Sequence, residues 1–407
     1  MKHIKNEGLE IVVKNNPKTP RSAICCVFSI DTPTELSGVS NLTSRLLLRG
    51  TNKRTAEELS LELQDNGIEL STESKRDYLK IDTVFLNQDF DLAVEILEDI
   101  IKNSTFKELD KEIFKLKAEI PAVLDSSTSK LSDSFTRTIF KNHHYENSVT
   151  KTLEDIDKID SKIVNEFWGT MLNSKKVIVA VGDFEDEEKI SNELNKKFAF
   201  LNKYTEKTKI EDIKNLKESK VVKIEKNSAN QAHVIQGWIT DSINTEDYPK
   251  IIVMNNLMGS SGLSSRLFYE LRDKQGLAYT VRSSYEALRH AGVISFYIGT
   301  TPNNIRKSLD GFRTEIEKLQ NNLPTEEELQ GAKENVLGRL AYFSQTNEQQ
   351  AHSICRDIIL GRPLDFKERY TEMINSVTRE DLSEMAKKYL SGNDVIAVIA
   401  PSDYLEF

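Results

Sequence analysis

Apolar and polar residues alternate, with β-branched side chains frequent, at Leu9-Glu-Ile-Val-Val-Lys and Ala23-Ile-Cys-Cys-Val-Phe-Ser-Ile, which predicts two strands near the start of the chain. The spacing changes to a helical one between Asp89 and Lys102. Thr105-Phe-Lys-Glu108 then has the form of a capping box, opening a helix that carries Glu112 and Glu119. Lys176-Val-Ile-Val-Ala-Val-Gly182 reads as a core strand ending at a turn glycine, and an amphipathic helix from Glu187 to Phe198 closes the first half. Strands resume at Lys220-Val-Val-Lys-Ile and Ala232-His-Val-Ile-Gln-Gly-Trp-Ile. Pro324-Thr325-Glu-Glu-Glu328 predicts a second, proline-led capping box, and Val395-Ile-Ala-Val-Ile-Ala a last strand.

The order of these elements repeats after roughly 200 residues, the signature of an internal duplication. Glu62-Leu-Gln-Asp-Asn-Gly67 echoes Glu270-Leu-Arg-Asp-Lys-Gln-Gly276, and Ser44-Arg-Leu-Leu echoes Ser265-Arg-Leu-Phe. The two echoes are offset by different lengths, which predicts an insertion in the first half around Gly50 to Ser60. Each pair is followed by a polar stretch, an alternating strand (Leu79 to Leu86; Val293 to Gly299) and a long amphipathic helix. The expected class is α+β, with two homologous domains, each a mostly antiparallel sheet with helices packed on one side. The boundaries read as 1–200 for the first domain, 220–407 for the second, and a polar, lysine- and glutamate-rich linker over 201–219.

A chain of 407 residues is long enough to bury two cores, and 38% hydrophobic residues suit a globular protein. No apolar run approaches the roughly 18 residues of a membrane span. The basic residues at the N-terminus precede no apolar segment, so no secretory signal is visible and a cytoplasmic location is expected. A net charge of -9 argues against a nucleic-acid partner, since phosphate contacts need a basic face. The three cysteines cannot form a disulfide framework; the vicinal Cys25 and Cys26 point to opposite faces of their strand, and all three read as buried thiols.

Two segments carry chemistry. The first is Gly38-Val-Ser-Asn41-Leu-Thr-Ser44-Arg45-Leu-Leu-Leu-Arg-Gly50-Thr51, the second Leu271-Arg272-Asp-Lys-Gln-Gly276-Leu-Ala-Tyr279. Glu112 and Glu119 fall on one face of a helix, where their plainest role is as solvated carboxylates. Arg272 reads as a charge at a helix end and Tyr279 as a strand residue, or else as hydrogen-bond donors for a carbonyl. Arg266 reads as structural. Adjacent His143 and His144 diverge too far to share a metal, and Gly259-Ser-Ser-Gly262 lacks the lysine of a phosphate loop.

Both segments resemble the pitrilysin/insulinase family of zinc peptidases, and the resemblance extends to Asn6 through Lys14, to Ile139 through Tyr145, and to Asn173 through Asp183, nearly the whole chain. The family's first motif is G-x-A-H-x-x-E-H-x-x-x-x-G-T. The resemblance places its two histidines on Asn41 and Arg45, its glutamate on Ser44, and its third metal ligand on Glu119. A helix with histidines four apart closes on one Zn²⁺ while the glutamate polarises the metal-bound water; an amide, a hydroxyl and a fixed cation do neither. The second motif, L-R-x-x-x-G-L-x-Y, is matched at Arg272 and Tyr279, which the resemblance implies hydrogen-bond the substrate backbone near the scissile peptide.

The resemblance therefore implies a zinc-free subunit of a heteromeric metallopeptidase, with no cofactor of its own. Its expected partner is a homologous subunit bearing the zinc motif and holding Zn²⁺, the two closing as a clamshell on a peptide substrate. The alternative is a non-proteolytic scaffold or peptide-binding protein of the same fold.

Overall fold

The computed structural model describes residues 1–206, 210–213 and 215–406. The chain forms two compact units. The first comprises Met1–Glu119, Lys151–Ile210 and Ala341–Leu364, and the second Ile120–Thr150, Glu211–Leu340 and Asp365–Phe407. They differ from the contiguous stretches 1–200 and 220–407, because each half of the chain lends one helix to the other unit's sheet. Of the linker expected at 201–219, residues 207–209 and 214 lie outside the described residues.

The strands of the first unit are β1 (Lys2–Lys5), β2 (Leu9–Asn15), β3 (Arg21–Ser29), β4 (Glu69–Ser74), β5 (Tyr78–Leu86) and β6 (Lys176–Gly182). They form one sheet in the order β1-β2-β6-β3-β5-β4, antiparallel except for the β2–β6 pair. The second unit holds β7 (Lys220–Glu225), β8 (Ala232–Thr240), β9 (Ala278–Ala287), β10 (Gly292–Thr300) and β11 (Val395–Ala400), in the order β7-β11-β8-β10-β9. Only its β7–β11 pair is parallel. Apart from the β1 hairpin strand, the second sheet repeats the first position by position, as the duplicated pattern in the sequence anticipates.

The helices repeat in the same way. In the first half they are α1 (Val39–Leu46), α2 (Ala56–Asp65), α3 (Phe90–Asn103), α4 (Leu109–Leu124), α5 (Ser127–Ile139), α6 (Val149–Asp155), α7 (Ser161–Leu172) and α8 (Glu187–Lys197). The second half has α9 (Tyr248–Asn255), α10 (Ile305–Asn321), α11 (Glu326–Tyr342), α12 (Asn347–Ile359), α13 (Phe366–Ser376) and α14 (Arg379–Tyr389). In this order α1 corresponds to α9, and α2 to the helical turn that ends at Lys274. The Ser44 and Ser265 echoes therefore sit on non-equivalent elements, and the insertion they predicted near Gly50 to Ser60 is not needed.

One expected cap also fails. Thr105 donates its hydroxyl to the Gly50 carbonyl (3.4 Å) instead of capping α4, and Glu108 pairs with Lys111. The intervening Phe106 takes a positive φ of 51° and buries its ring against Trp168, so tertiary packing outweighs the local capping pattern. The cap at Thr325 and Glu328 forms in both directions, with hydrogen bonds of 2.8 and 3.1 Å.

Each sheet is covered on both faces, not on one side as expected, because the helix lent by the other half of the chain takes the second face. In the first unit Trp168 of α7 packs on Phe28, while Cys355 of α12 meets the opposite side of β3, its thiol 3.2 Å from the Cys25 carbonyl oxygen. Cys25, Cys26 and Cys355 are all free and buried. In the second unit Phe312 of α10 packs on Phe296, and the other face receives α5, whose Leu131, Phe135 and Ile139 join Ile235, Ile239 and the β11 residues Val395, Ala397 and Ile399. The exchanged helices α5 and α12 occupy equivalent places, one in each unit.

Helix α5 fits because β8 has a glycine, Gly237, beneath the Phe135 ring. A Cβ at Gly237 would lie 2.5 Å from the Phe135 ring and 3.0 Å from the Ile294 carbonyl oxygen. Gly237→Ala is therefore expected to destabilise the protein by about 1–3 kcal/mol, through forced shifts of Phe135 and β10. A urea-unfolding midpoint equal to that of the wild type would contradict this seating of α5.

Candidate functional site

Helix α1 is held by its apolar face, with Val39, Leu42 and Leu46 buried, and by Thr72 of β4, which donates its hydroxyl to the Ser44 carbonyl (2.7 Å). That leaves Asn41 and Arg45, one turn apart, on the polar side facing α4. Arg45 donates Nε to the Asn41 side-chain oxygen (3.1 Å) and clamps Glu119 with both terminal nitrogens, at 3.2 and 2.7 Å. The same guanidinium lies 3.8 Å from Glu112. Two turns of α4 separate the glutamates and present both to α1.

Glu112 is the buried member, 1% exposed, and three cations surround it. Lys115 donates to its Oε1 at 2.7 Å, and Arg49 Nε lies 2.9 Å from the same oxygen in an ion pair. These cations offset the cost of burying the carboxylate. Glu119 is exposed, and its hydrogen bond from Arg45 holds its carboxyl below the usual carboxylate range. Sequence reading overlooked Arg49 and Lys115, although helical spacing is the signal for them: Arg49 follows Arg45 by one turn and Lys115 follows Glu112 by nearly one.

This arrangement does not fit zinc. The Asn41 oxygen is engaged, the Ser44 hydroxyl donates to the Asn41 carbonyl (2.8 Å), and both Glu119 oxygens face a guanidinium that has no lone pair to offer. Among the described residues no three His, Cys, Asp or Glu side chains gather as a metal would require. A fixed organic cation occupies the place between α1 and α4. Purified chain dialysed against micromolar zinc is expected to retain well under one equivalent; a stoichiometric content that Glu119→Gln abolishes would contradict this.

The second segment opens differently. Phe268–Lys274 forms a wide, π-helical turn, closed at Gly276, whose φ of 62° favours glycine. Leu277 then returns its N–H to the Leu271 carbonyl (2.8 Å), and β9 begins at Ala278. This places Arg272 on the last turn of one element and Tyr279 at the start of the next. Arg272 is exposed and stacks its guanidinium 4.4 Å from the centre of the Phe268 ring. Tyr279 is 69% exposed at a register shift of the outermost strand.

Neither residue is spent on the fold: among the described residues Arg272 has no ion pair, and the Tyr279 hydroxyl has no hydrogen bond. The nearby charges are satisfied elsewhere, since Glu270 pairs with Lys274 (2.7 Å) and Lys318 (3.7 Å). Arg266, by contrast, is committed to a two-point pair with Glu328, at 2.7 and 2.9 Å, and holds the first turn of α11. Two uncommitted donors on either side of one tight turn suit recognition of a carbonyl oxygen.

His144 and Tyr145 sit in a short turn, with Tyr145 buried and its hydroxyl accepting the His290 N–H (3.2 Å). Their place is structural. No helix among the described residues is long and apolar enough to cross a membrane.

Comparison with known proteins bears on both segments. Residues 10–153 match the model of Insulinase (Peptidase family M16), and residues 158–336 that of the Peptidase M16 inactive domain. The zinc protease YmxG of Bacillus subtilis is 25% identical over 404 residues, covering 97% of each chain. The non-peptidase homolog YmxG of Helicobacter pylori is 24% identical over 371 residues, covering 89% of this chain and 84% of its own. A crystal structure of a peptidase M16 inactive domain from Pseudomonas fluorescens superposes with a TM-score of 0.88 at 19% identity, covering 98% of both chains. That last likeness is one of fold.

Proposed function

Because the chain belongs to the pitrilysin/insulinase family of peptidases, family M16, we propose that it is the zinc-free subunit of a heteromeric metallopeptidase and contributes Arg272 and Tyr279 to hydrolysis at its partner's zinc. The observation that carries this reading is an asymmetry. The metal positions are filled by an arginine–carboxylate network, whereas the two donors of the second segment are exposed and uncommitted. A chain whose only role was to hold a fold would gain by pairing Arg272, as it pairs Arg266.

In this reading the partner is a homologue carrying H-x-x-E-H, whose histidines would hold a zinc and whose glutamate would help it supply the hydrolytic water. Arg272 donates from a planar fork held against Phe268, and Tyr279 donates its hydroxyl; both hydrogen bonds would strengthen as the scissile carbonyl oxygen gains charge. Asn41, Ser44 and Arg45, at the positions of the zinc motif, offer no general base for water. Sedimentation of an equimolar mixture with a zinc-motif homologue from the same source tests the pairing: a 1:1 complex is expected, and two independent boundaries at micromolar concentration would count against it. The scaffold reading gains some support from the Helicobacter pylori relative, which is named a non-peptidase homolog.

A further inference from the structure

Three residues beyond Tyr279 on the same edge strand stands Arg282, a second exposed arginine. Among the described residues its guanidinium has neither an ion pair nor a hydrogen bond. Its guanidinium rests 4.8 Å from the centre of the Tyr297 ring, and Tyr297 is its directly opposed partner on β10. The Tyr297 hydroxyl lies 2.9 Å from His233 Nδ1 on β8, and the two rings stack at 15°. Arginine, phenol and imidazole thus form one row across three strands. Gly299 adjoins the row, and a Cβ there would lie 3.4 Å from both the Tyr297 hydroxyl and His233 Nδ1.

The charge of this niche is one-sided. Burial, with Lys226 nearby, holds His233 below its usual pKa, so the imidazole is neutral at pH 7 and the cation presented is Arg282. An arginine on an aromatic face keeps its fork oriented and its N–H groups free at the edge of its own plane, the arrangement that takes a carboxylate in two-point contact. Arginine on an edge strand also serves simply to deter strand pairing. That role requires neither the stacked tyrosine nor the half-buried histidine behind it.

We infer that Arg282, Tyr297 and His233 form a subsite for a peptide carboxylate, about 10 Å along β9 from Tyr279 at the rise of a strand. The inference rests on the reading that Arg272 and Tyr279 hold peptide backbone. It adds a specificity: an extended peptide held there would place either an acidic side chain or its own C-terminal carboxylate, about three residues away, against Arg282. The aromatic row supports the fork, with the Tyr297 hydroxyl engaged by His233 and the ring held in place beneath the guanidinium.

Direct binding to the whole chain tests this, using fluorescein-labelled decapeptides in four forms: with or without a central glutamate (Gln in its place), each with a free or an amidated C-terminus. The acidic or free-carboxylate forms are expected to bind roughly 10- to 100-fold more tightly than the neutral, amidated one, the range for a charge-assisted pair. Arg282→Gln is expected to abolish that difference and Arg282→Lys to restore part of it. The glutamate arms and the amide arms separate the two sources of carboxylate. If all four peptides bind equally and Arg282→Gln changes nothing except aggregation, Arg282 is an edge-protecting charge and the subsite does not exist. If no peptide binds at any concentration, and Tyr279→Phe is equally silent, it is the underlying peptide-holding role that fails.

Discussion

Replacing Tyr279 by Phe, or Arg272 by Ala, is expected to lower kcat of the reconstituted two-subunit peptidase by about 10²- to 10³-fold, the usual cost of one donor at a carbonyl that gains charge. Neither change should unfold the chain, since Tyr279 is 69% exposed and Arg272 touches the fold through its stack on Phe268. KM should move far less than kcat, because the lost hydrogen bond matters most at the transition state. Phe268→Ala should fall between wild type and Arg272→Ala, because it frees the guanidinium without removing it. Wild-type turnover by both Tyr279→Phe and Arg272→Ala, in complexes of normal affinity, would make these residues structural and favour a scaffold.

The second large effect concerns acid. Helix α12 docks on the first sheet through polar groups as well as Cys355. Asn347 donates to the Arg21 carbonyl (2.6 Å), Lys14 donates to Gln350 (2.9 Å), and His352 Nε2 lies 3.2 Å from the Tyr78 hydroxyl. Burial, with Lys80 close by, pushes His352 down to about 4; Asp82 and Glu73 oppose that shift, and Arg356 reinforces it. An unfolded histidine takes up its proton near pH 6.5, whereas the folded one resists until about pH 4. The unfolded state therefore binds more protons between these values, and stability present above pH 6.5 is lost as the pH falls toward 4. The loss is on the order of 2–3 kcal/mol, so His352→Gln should flatten the change in urea midpoint between pH 7 and pH 4.5. Parallel profiles for variant and wild type would contradict it. Acid-lowered carboxylates such as Glu119 act on both proteins alike and cancel in the comparison.

Much of this molecule was legible in its residues. The strands at Lys176–Gly182 and Val395–Ala400 coincide with their apolar runs, because strands buried on both faces have near-continuous hydrophobic sequences. The duplication was visible in element order, and the empty metal motif in three residue identities. Non-local features were not legible. Helices α5 and α12 leave their own halves because Phe135 needs the gap at Gly237 and Cys355 reaches β3, and no local pattern encodes either partner. The same limit explains the failed cap at Thr105, where a buried phenylalanine competes with a hydroxyl. Arg282 and Tyr297 escaped notice because only the register of β9 on β10 sets them opposite each other. His233, read alone, is an ordinary histidine.

The central claim is a division of labour, in which this chain supplies donors and its partner supplies zinc. The most direct test is a titration: a fixed amount of zinc-motif homologue receives increasing amounts of this chain, with cleavage of a quenched fluorescent peptide as the readout. The account expects no cleavage by this chain alone, little by the homologue alone, and a rise that saturates at one equivalent and disappears with a chelator. Activity that is full without this chain, or that fails to rise when a 1:1 complex has formed, would contradict it.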